Sequence, residues 1–166
     1  MTIASPNPMG VAGEGDHERA LEVAYRYLNR RDRTQAEVRK HLQGRGFLES
    51  AINRVIISLS DHDHLDDVRF ARLYAEDKRA LEQWGSERIR RGLLARGIEP
   101  DLTDATLGDE LLEDELHRAL DLLRRRFSSL PTDPRERERA LGVLARKGYE
   151  SELALQALSR FVRGER

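Results

Sequence analysis

Cysteine is absent from this 166-residue sequence, which excludes thiol nucleophiles, disulfides and cysteine-ligated zinc or iron-sulfur sites. Aromatic residues make up only 5% of the chain, whereas charged residues make up 36%. This mixture is typical of exposed helices and disfavours a β-sandwich or barrel. No apolar run approaches the roughly 18 residues of a membrane span, and no signal peptide is evident. The sequence therefore predicts an all-α protein, which we expect to be cytoplasmic and not membrane-bound.

Enzyme motifs are missing too, including a nucleophile elbow, a glycine-rich phosphate loop and a His-Glu-x-x-His helix. The densest group of potential metal ligands is segment 61–67, where His62 and His64 lie among four aspartates. Consecutive residues there point in different directions, and the last two aspartates suit a helix start. We expect no catalytic residues, no cofactor and no bound metal. A metal-dependent enzyme using His62 and His64 stays an alternative that elemental analysis would detect.

The net charge of −1 conceals a segregation of charge along the chain. Residues 17–60 carry a net +4, residues 61–113 carry −6, and residues 114–166 carry +3. Bare nucleic acid would be attracted at two places and repelled between them. A partner of mixed charge fits this pattern better than a uniform polyanion. An acidic run at 110–115 is interpreted as a solvated helix start.

The first part of the chain predicts a tail followed by three helices. Residues 1–16 are rich in proline and glycine and offer little to bury, so a disordered tail is expected. Apolar spacing predicts a helix from Glu18 to Arg31. Thr34 and Glu37 form a capping-box pattern that starts a second helix, which stops at a nearby glycine. A third helix is expected at 49–60.

A helix-stop pattern of the form Leu-x-x-basic-Gly-apolar recurs at intervals of 51 residues, with its glycines at Gly46, Gly97 and Gly148. Such a glycine suits a left-handed helix C-cap, and the apolar residue after it tucks under the finished helix. Further apolar positions recur at the same offset. The sequence therefore predicts an elongated array of three tandem three-helix repeats, with nine helices, at 17–60, 61–109 and 110–166.

Start signals place the remaining helices. Asp66 or Asp67 caps the first helix of the second repeat, and Asp133 with Glu136 starts the second helix of the third. The predicted ranges are 66–83, 86–96 and 100–107 in the second repeat, then 110–127, 134–147 and 151–163 in the third.

Three sequence blocks carry a resemblance to a known family. Residues 27–37 read Tyr-Leu-x-Arg-Arg-Asp-Arg-Thr-x-x-Glu, and residues 65–74 read Leu-Asp-Asp-x-x-Phe-Ala-x-x-Tyr, ahead of Trp-Gly-x-x-Arg-Ile at 84–89. In this combination the chain resembles the RecX family over about residues 20–163. It departs at His64, where the family usually carries an aromatic or similar residue. The motif residues expected to have structural roles are Gly46, Phe47, Leu65, Asp66, Asp67, Phe70, Ala71, Tyr74, Trp84, Gly85, Ile89, Leu93, Gly97, Ile98 and Gly148.

The resemblance implies a non-enzymatic regulator that binds the RecA recombinase filament on single-stranded DNA. It implies that the protein modulates, and mainly inhibits, recombination, ATP hydrolysis and coprotease activity in DNA repair and the SOS response. We expect a monomer that binds free DNA only weakly.

Basic residues are the candidates for contact with the filament. They are Arg30, Arg31, Arg33, Arg39, Lys40, Arg88, Arg91, Arg124, Arg125 and Arg126. Trp84 could stack on a base, although a cap over the core of the second repeat is favoured. A stand-alone helical DNA-binding module is the alternative function. It would need basic residues on the same helix of every repeat, which the acidic middle disfavours.

Overall fold

The computed structural model describes residues 13–164, and within that range the chain is built of nine α-helices without a strand. The helices are α1 (Glu14–Leu28), α2 (Gln35–Gln43), α3 (Glu49–Asp61), α4 (Asp67–Glu82), α5 (Ser86–Leu94), α6 (Pro100–Gly108), α7 (Leu112–Arg126), α8 (Pro134–Lys147) and α9 (Ser151–Val162). The all-α fold of three tandem three-helix repeats is confirmed. The chain forms two compact units, which divide between Phe70 and Ala71.

The predicted start of the first helix is wrong. Helix α1 begins at Glu14 rather than Glu18, so the last residues of the expected tail 1–16 are helical. Glu14 and Asp16 lie in its first turn, where negative side chains meet the positive end of the helix dipole. Residues 1–12 of the expected tail lie outside the described residues. The boundaries of α3 to α9 fall within two residues of prediction.

The core of the first repeat is formed where α1, α2 and α3 pack against one another. Ala20 and Ala24 are fully buried, and their small side chains let the other helices approach α1 closely. Leu65, which follows α3, joins the same cluster. The remaining buried members are Val38, Leu42, Ile52, Val55, Ile56 and Leu59. A separate cluster of α7, α8 and α9 fills the third repeat.

The second helix of each repeat ends in the same hydrogen-bonded turn. Gly46, Gly97 and Gly148 have φ of 82°, 77° and 86°, the left-handed conformation predicted for them. The amide of the next residue donates to a carbonyl five residues back, for example Tyr149 to Leu144 over 3.1 Å. The glycine amide donates to the carbonyl three residues back, as in a Schellman motif. The 51-residue sequence repeat is therefore a repeat of backbone structure.

In the second unit, the start of α5 docks end-on against the turn that closes α8. The Gly85 amide donates to the carbonyl of Lys147 over 2.9 Å, and the Glu87 amide donates to that of Gly148 over 3.1 Å. A Cβ on Gly85 would lie 2.5 Å from the Gly148 oxygen. The amides at the start of α5 thus satisfy carbonyls at the end of α8, and opposite ends of two helix dipoles meet. Tyr149 completes the contact, with its hydroxyl donating to the Gln83 carbonyl over 3.0 Å.

A carboxylate from the first helix of the next repeat, α4 or α7, binds the first amide of α2 and of α5. Asp67 accepts from the Gln35 amide over 2.9 Å. Glu115 accepts from both the amide and the hydroxyl of Ser86, over 2.7 and 2.8 Å. Gln35 and Ser86 are 51 residues apart, so this contact between successive repeats recurs at one position of the fold.

A buried carboxylate also joins α4 to α7. Glu110 forms an ion pair with Arg79 over 3.0 Å and a second with Arg118. Burial lowers the pKa of Arg118, but its hydrogen bond to Glu110 and the charge of that carboxylate more than offset the effect, so the pKa is raised. For the neighbouring Tyr149, burial disfavours the charged phenolate and raises the pKa to about 12. The interpretation of 110–115 as a solvated helix start is wrong for Glu110 and Glu115.

Candidate functional site

The second repeat carries a groove of about 700 Å³, open to solvent, where α4, α5 and the turn after α5 meet the end of α8. We call it the Trp84 groove. Its lining combines five cations with two aromatic rings and no carboxylate. The lining residues are Tyr74, Lys78, Trp84, Arg88, Arg91, Gly92, Arg96 and Arg146.

The aromatic rings of this groove are in contact with its cations. The ammonium of Lys78 lies 4.6 Å from the centre of the Trp84 ring, and the guanidinium of Arg88 lies 4.1 Å from it. The Arg96 guanidinium lies 4.7 Å from the Tyr74 ring. Trp84 is half-buried rather than part of the core. Its ring contacts two cations, and a cap over the core of the second repeat stays a prediction.

The arginines of the groove donate mainly to neutral backbone carbonyls. Arg88 donates to the Arg146 carbonyl over 2.9 Å, and Arg96 donates to that of Gly92 over 3.0 Å. Arg91 donates to the Glu87 carbonyl over 3.3 Å. These bonds satisfy donors without cancelling charge. Lys78 forms an ion pair with Glu82, at 3.5 Å.

Gly92 sets the position of Tyr74. A Cβ at Gly92 would collide with the Tyr74 hydroxyl and lie 3.0 Å from the ring carbon that carries it. Glycine therefore lets the tyrosine lie directly across α5. The ring then reaches Arg96, whose guanidinium is also 3.4 Å from the Tyr74 hydroxyl.

The first repeat carries a smaller groove of about 230 Å³, lined by Val23, Arg26, Tyr27, Arg30, His41 and Arg45. The rings of Tyr27 and His41 stack with centres 4.0 Å apart, and the Arg33 guanidinium lies 4.0 Å from the Tyr27 ring. Burial lowers the pKa of His41, and the charges of Arg45, Arg33 and Arg30 lower it further. His41 therefore stays neutral to lower pH than an exposed histidine.

The two grooves occupy the same face of their repeats. By the 51-residue offset, Lys78 is the equivalent of Tyr27, and Trp84 is the equivalent of Arg33. Both pairs form a contact between a cation and an aromatic ring, but the position that holds the ring in the first repeat holds the cation in the second. The same offset places Arg45 on Arg96. The fold thus keeps a basic and aromatic groove at one position of two successive repeats.

Sequence reasoning placed some of its candidate residues in these grooves. Arg30 lines the first groove and Arg33 contacts its tyrosine, while Arg88 and Arg91 line the Trp84 groove. Lys40 is exposed on α2.

Other candidates are paired with carboxylates of their own repeat. Arg31 pairs with Glu37 over 3.1 Å, and Arg39 pairs with Glu49 at the start of α3. Arg124 lies 3.0 Å from Asp121 in the last turn of α7. Arg125 and Arg126 are exposed there, and Arg126 lines a third cavity of about 270 Å³ with Arg139, Glu136 and the 127–131 loop.

Tyr27, His41 and Arg146 are groove residues that the sequence analysis missed. Applying the 51-residue offset to the ring and cation positions, and not only to the apolar ones, would have linked Tyr27 to Lys78. Arg146 has no such signal, because α8 reaches the groove only through its tertiary contact with α5.

The residues of segment 61–67 have roles in the local fold. His62 Nδ1 lies 2.7 Å from the Ser58 carbonyl oxygen, and His64 packs edge-on against Tyr25. Asp66 caps α4 by accepting from the Arg69 amide over 2.8 Å. Within residues 13–164, no group of three histidine or acidic side chains is arranged to hold a metal ion. In the same range, no helix is both long enough and apolar enough to cross a membrane.

Fold and site together define a class of protein: an all-α chain of three tandem three-helix repeats that presents basic and aromatic binding grooves. Family models for the first, second and third three-helix domains of RecX match residues 20–59, 66–107 and 113–158. The chain belongs to the RecX family of regulatory proteins.

Individual relatives agree with this assignment. The chain is 31% identical to the regulatory protein RecX of Serratia proteamaculans over 155 residues, which span 80% of this chain and 91% of that protein. It is 30% identical to the regulatory protein RecX of Mycobacterium tuberculosis over an aligned length of 172 residues, which covers 100% of this chain and 97% of that protein. The crystal structure of RecX from Lactobacillus salivarius has the same fold, with a TM-score of 0.79 at 20% identity, over 89% of this chain and 97% of that one.

Proposed function

We propose that this protein binds the RecA filament on single-stranded DNA and mainly inhibits its recombinase, ATPase and coprotease activities. The observation that carries the proposal is the match of all three consecutive RecX domains in their family order. We propose that it acts as a monomer in the cytoplasm, where RecA acts, and that it works by binding rather than by catalysis.

The distribution of charge supports a partner that contains both protein and nucleic acid. The Trp84 groove is cationic, whereas residues 61–113 as a whole carry a net charge of −6. A nucleoprotein filament offers phosphates to the groove and basic protein surface to the surrounding carboxylates. Such complementarity fixes register and raises the rate of encounter.

A stand-alone reader of duplex DNA is less well supported. Such a module needs unpaired basic residues on the exposed face of one helix in each repeat. Arg39 on α2 and Arg90 on α5 are equivalent by the 51-residue offset, but each pairs with a carboxylate of its own repeat, Glu49 and Asp104. These ion pairs connect the second helix of a repeat to the third helix of the same repeat.

Charge reversal tests the proposal through the ATPase of RecA on single-stranded DNA. The wild-type protein is expected to lower the rate of ATP hydrolysis. Arg124→Glu with Arg125→Glu should relieve that inhibition, because both side chains are exposed and their reversal leaves the core intact. The matched control is Arg54→Glu with Arg72→Glu, which changes net charge equally at exposed positions outside the predicted contacts. An ATPase rate that the wild-type protein leaves unchanged would refute the proposal.

A further inference from the structure

We infer that the Trp84 groove binds the phosphodiester backbone of single-stranded DNA. The inference deepens the proposed function, on which it rests for the source of the strand, by naming the surface that meets the DNA of the filament. It concerns a groove within the second compact unit, formed by the second repeat and by Arg146 of α8, and it needs no contact from the first repeat.

The groove holds like charges that its own lining does not neutralise. Five cations line it and no carboxylate does. Lys78 pairs with Glu82 outside the lining, whereas Arg88 and Arg91 donate to backbone carbonyls, which are neutral acceptors. Cations held close together repel one another, so the isolated groove is electrostatically unfavourable and an anion bound in it relieves the repulsion.

These cations are held in place before any ligand arrives. Lys78 and Arg88 lie against Trp84, and Arg96 lies between the Tyr74 ring and the carbonyl of Gly92. Long basic side chains usually lose much rotamer freedom on binding. Here the rings have already restricted that freedom, which lowers the entropic cost of capturing a phosphate.

The two aromatic rings of the groove favour nucleic acid over an acidic peptide as its ligand. An acidic peptide would use only the charges of the groove, whereas a nucleotide offers a phosphate and a planar base together. Two aromatic rings lie among the cations, and Trp84 is only half-buried. Base and ring contacts add to phosphate contacts without sequence preference, as in other single-strand binding surfaces.

The affinity for free DNA should be modest. The cations of one groove reach only a few phosphates, and the surrounding segment is net acidic. Each phosphate contact contributes about one unit to the slope of log affinity against log salt, so a shallow slope is expected. Binding becomes strong only when RecA holds the strand in place.

Trp84 provides the test, because it is the only tryptophan in the chain. An unlabelled oligothymidylate, titrated without RecA at low salt, should quench its fluorescence. The same titration is followed by anisotropy of a labelled strand. Lys78→Gln with Arg91→Gln should weaken binding by about tenfold and reduce the salt slope by about two, one for each lost phosphate contact. Arg54→Gln with Arg72→Gln, equal in charge change but outside the groove, should leave both unchanged.

Three results would overturn the inference. In the first, the strand binds by anisotropy without changing the fluorescence of Trp84. In the second, the groove variant and its control lose affinity equally while circular dichroism shows both to be folded. In the third, polyglutamate of matched charge quenches Trp84 as strongly as the oligonucleotide, which would assign the groove to an acidic protein. Because RecA is absent, failure here is distinct from failure to inhibit the RecA ATPase.

Discussion

Gly46 and Gly148 occupy the same position in the first and third repeats, but their surroundings differ. Both have a positive φ, which costs any other residue backbone strain. A Cβ on Gly46 would meet open space. A Cβ on Gly148 would collide with the side chain of Arg88 and lie 2.5 Å from its amide nitrogen. One glycine therefore serves the backbone alone, and the other also serves the contact between repeats.

Alanine substitution separates these two roles. Gly46→Ala should lower the free energy of unfolding by about 1 kcal/mol, the cost of the left-handed conformation. Gly148→Ala should cost about 3 kcal/mol or more, because backbone atoms of α5 must also move. Denaturant unfolding followed by circular dichroism measures both. Equal losses for the two variants would mean that α5 does not depend on this close approach.

At the scale of the element, carboxylates link one helix to the next repeat. Glu115 lies in the first turn of α7, where it favours its own helix electrostatically, and it also binds the amide and hydroxyl of Ser86. Asp114 lies in the same turn but is exposed. The two acidic residues thus share the dipole effect and differ in the contact with α5.

Glu115→Ala should therefore destabilise the protein more than Asp114→Ala. Loss of two hydrogen bonds at a helix start should cost about 2 kcal/mol beyond the effect shared by both residues. Thermal unfolding of both variants gives the comparison. A difference of less than about 0.5 kcal/mol, the error expected for independent sites, would show that Glu115 contributes nothing through Ser86.

Local signals made most of the fold predictable. Helix caps such as Thr34 and Asp133 act on amides three residues away, and each accepts from the predicted one, that of Glu37 and of Glu136. At each helix-stop glycine, the amide of the next residue donates to a carbonyl five residues back. The start of α1 was misplaced because Gly13 and Gly15 suggest a loop, whereas the acidic residues near them favour a helix.

The candidate site was less predictable because its contacts are tertiary. Lys78, Trp84 and Arg88 are close in sequence, and Trp84 and Arg88 were among the candidate residues. The approach of Arg146 depends on the docking of α5 against the end of α8, which no local pattern encodes. The use of Gly92 to place Tyr74 across α5 depends likewise on how two helices cross.

At the scale of the whole molecule, the segregation of charge fits a partner of mixed charge better than it fits free DNA. Residues 61–113 carry net −6 between two net basic segments, and the Trp84 groove concentrates positive charge within that acidic stretch. Counterion release from a few phosphates gives limited affinity. Contacts with a protein must supply the rest, so we expect binding to be selective for the filament over its separate components.

That selectivity is measured most directly by comparing the binding of this protein to RecA preassembled on single-stranded DNA, to RecA alone and to the DNA alone, all at physiological salt. Co-sedimentation with the filament, together with anisotropy for the free strand, gives the three affinities. We expect the filament to bind at least about tenfold more tightly than either component, a difference of about 1.4 kcal/mol. Binding to naked single-stranded or duplex DNA as tight as binding to the filament would contradict the account and favour a stand-alone DNA-binding module.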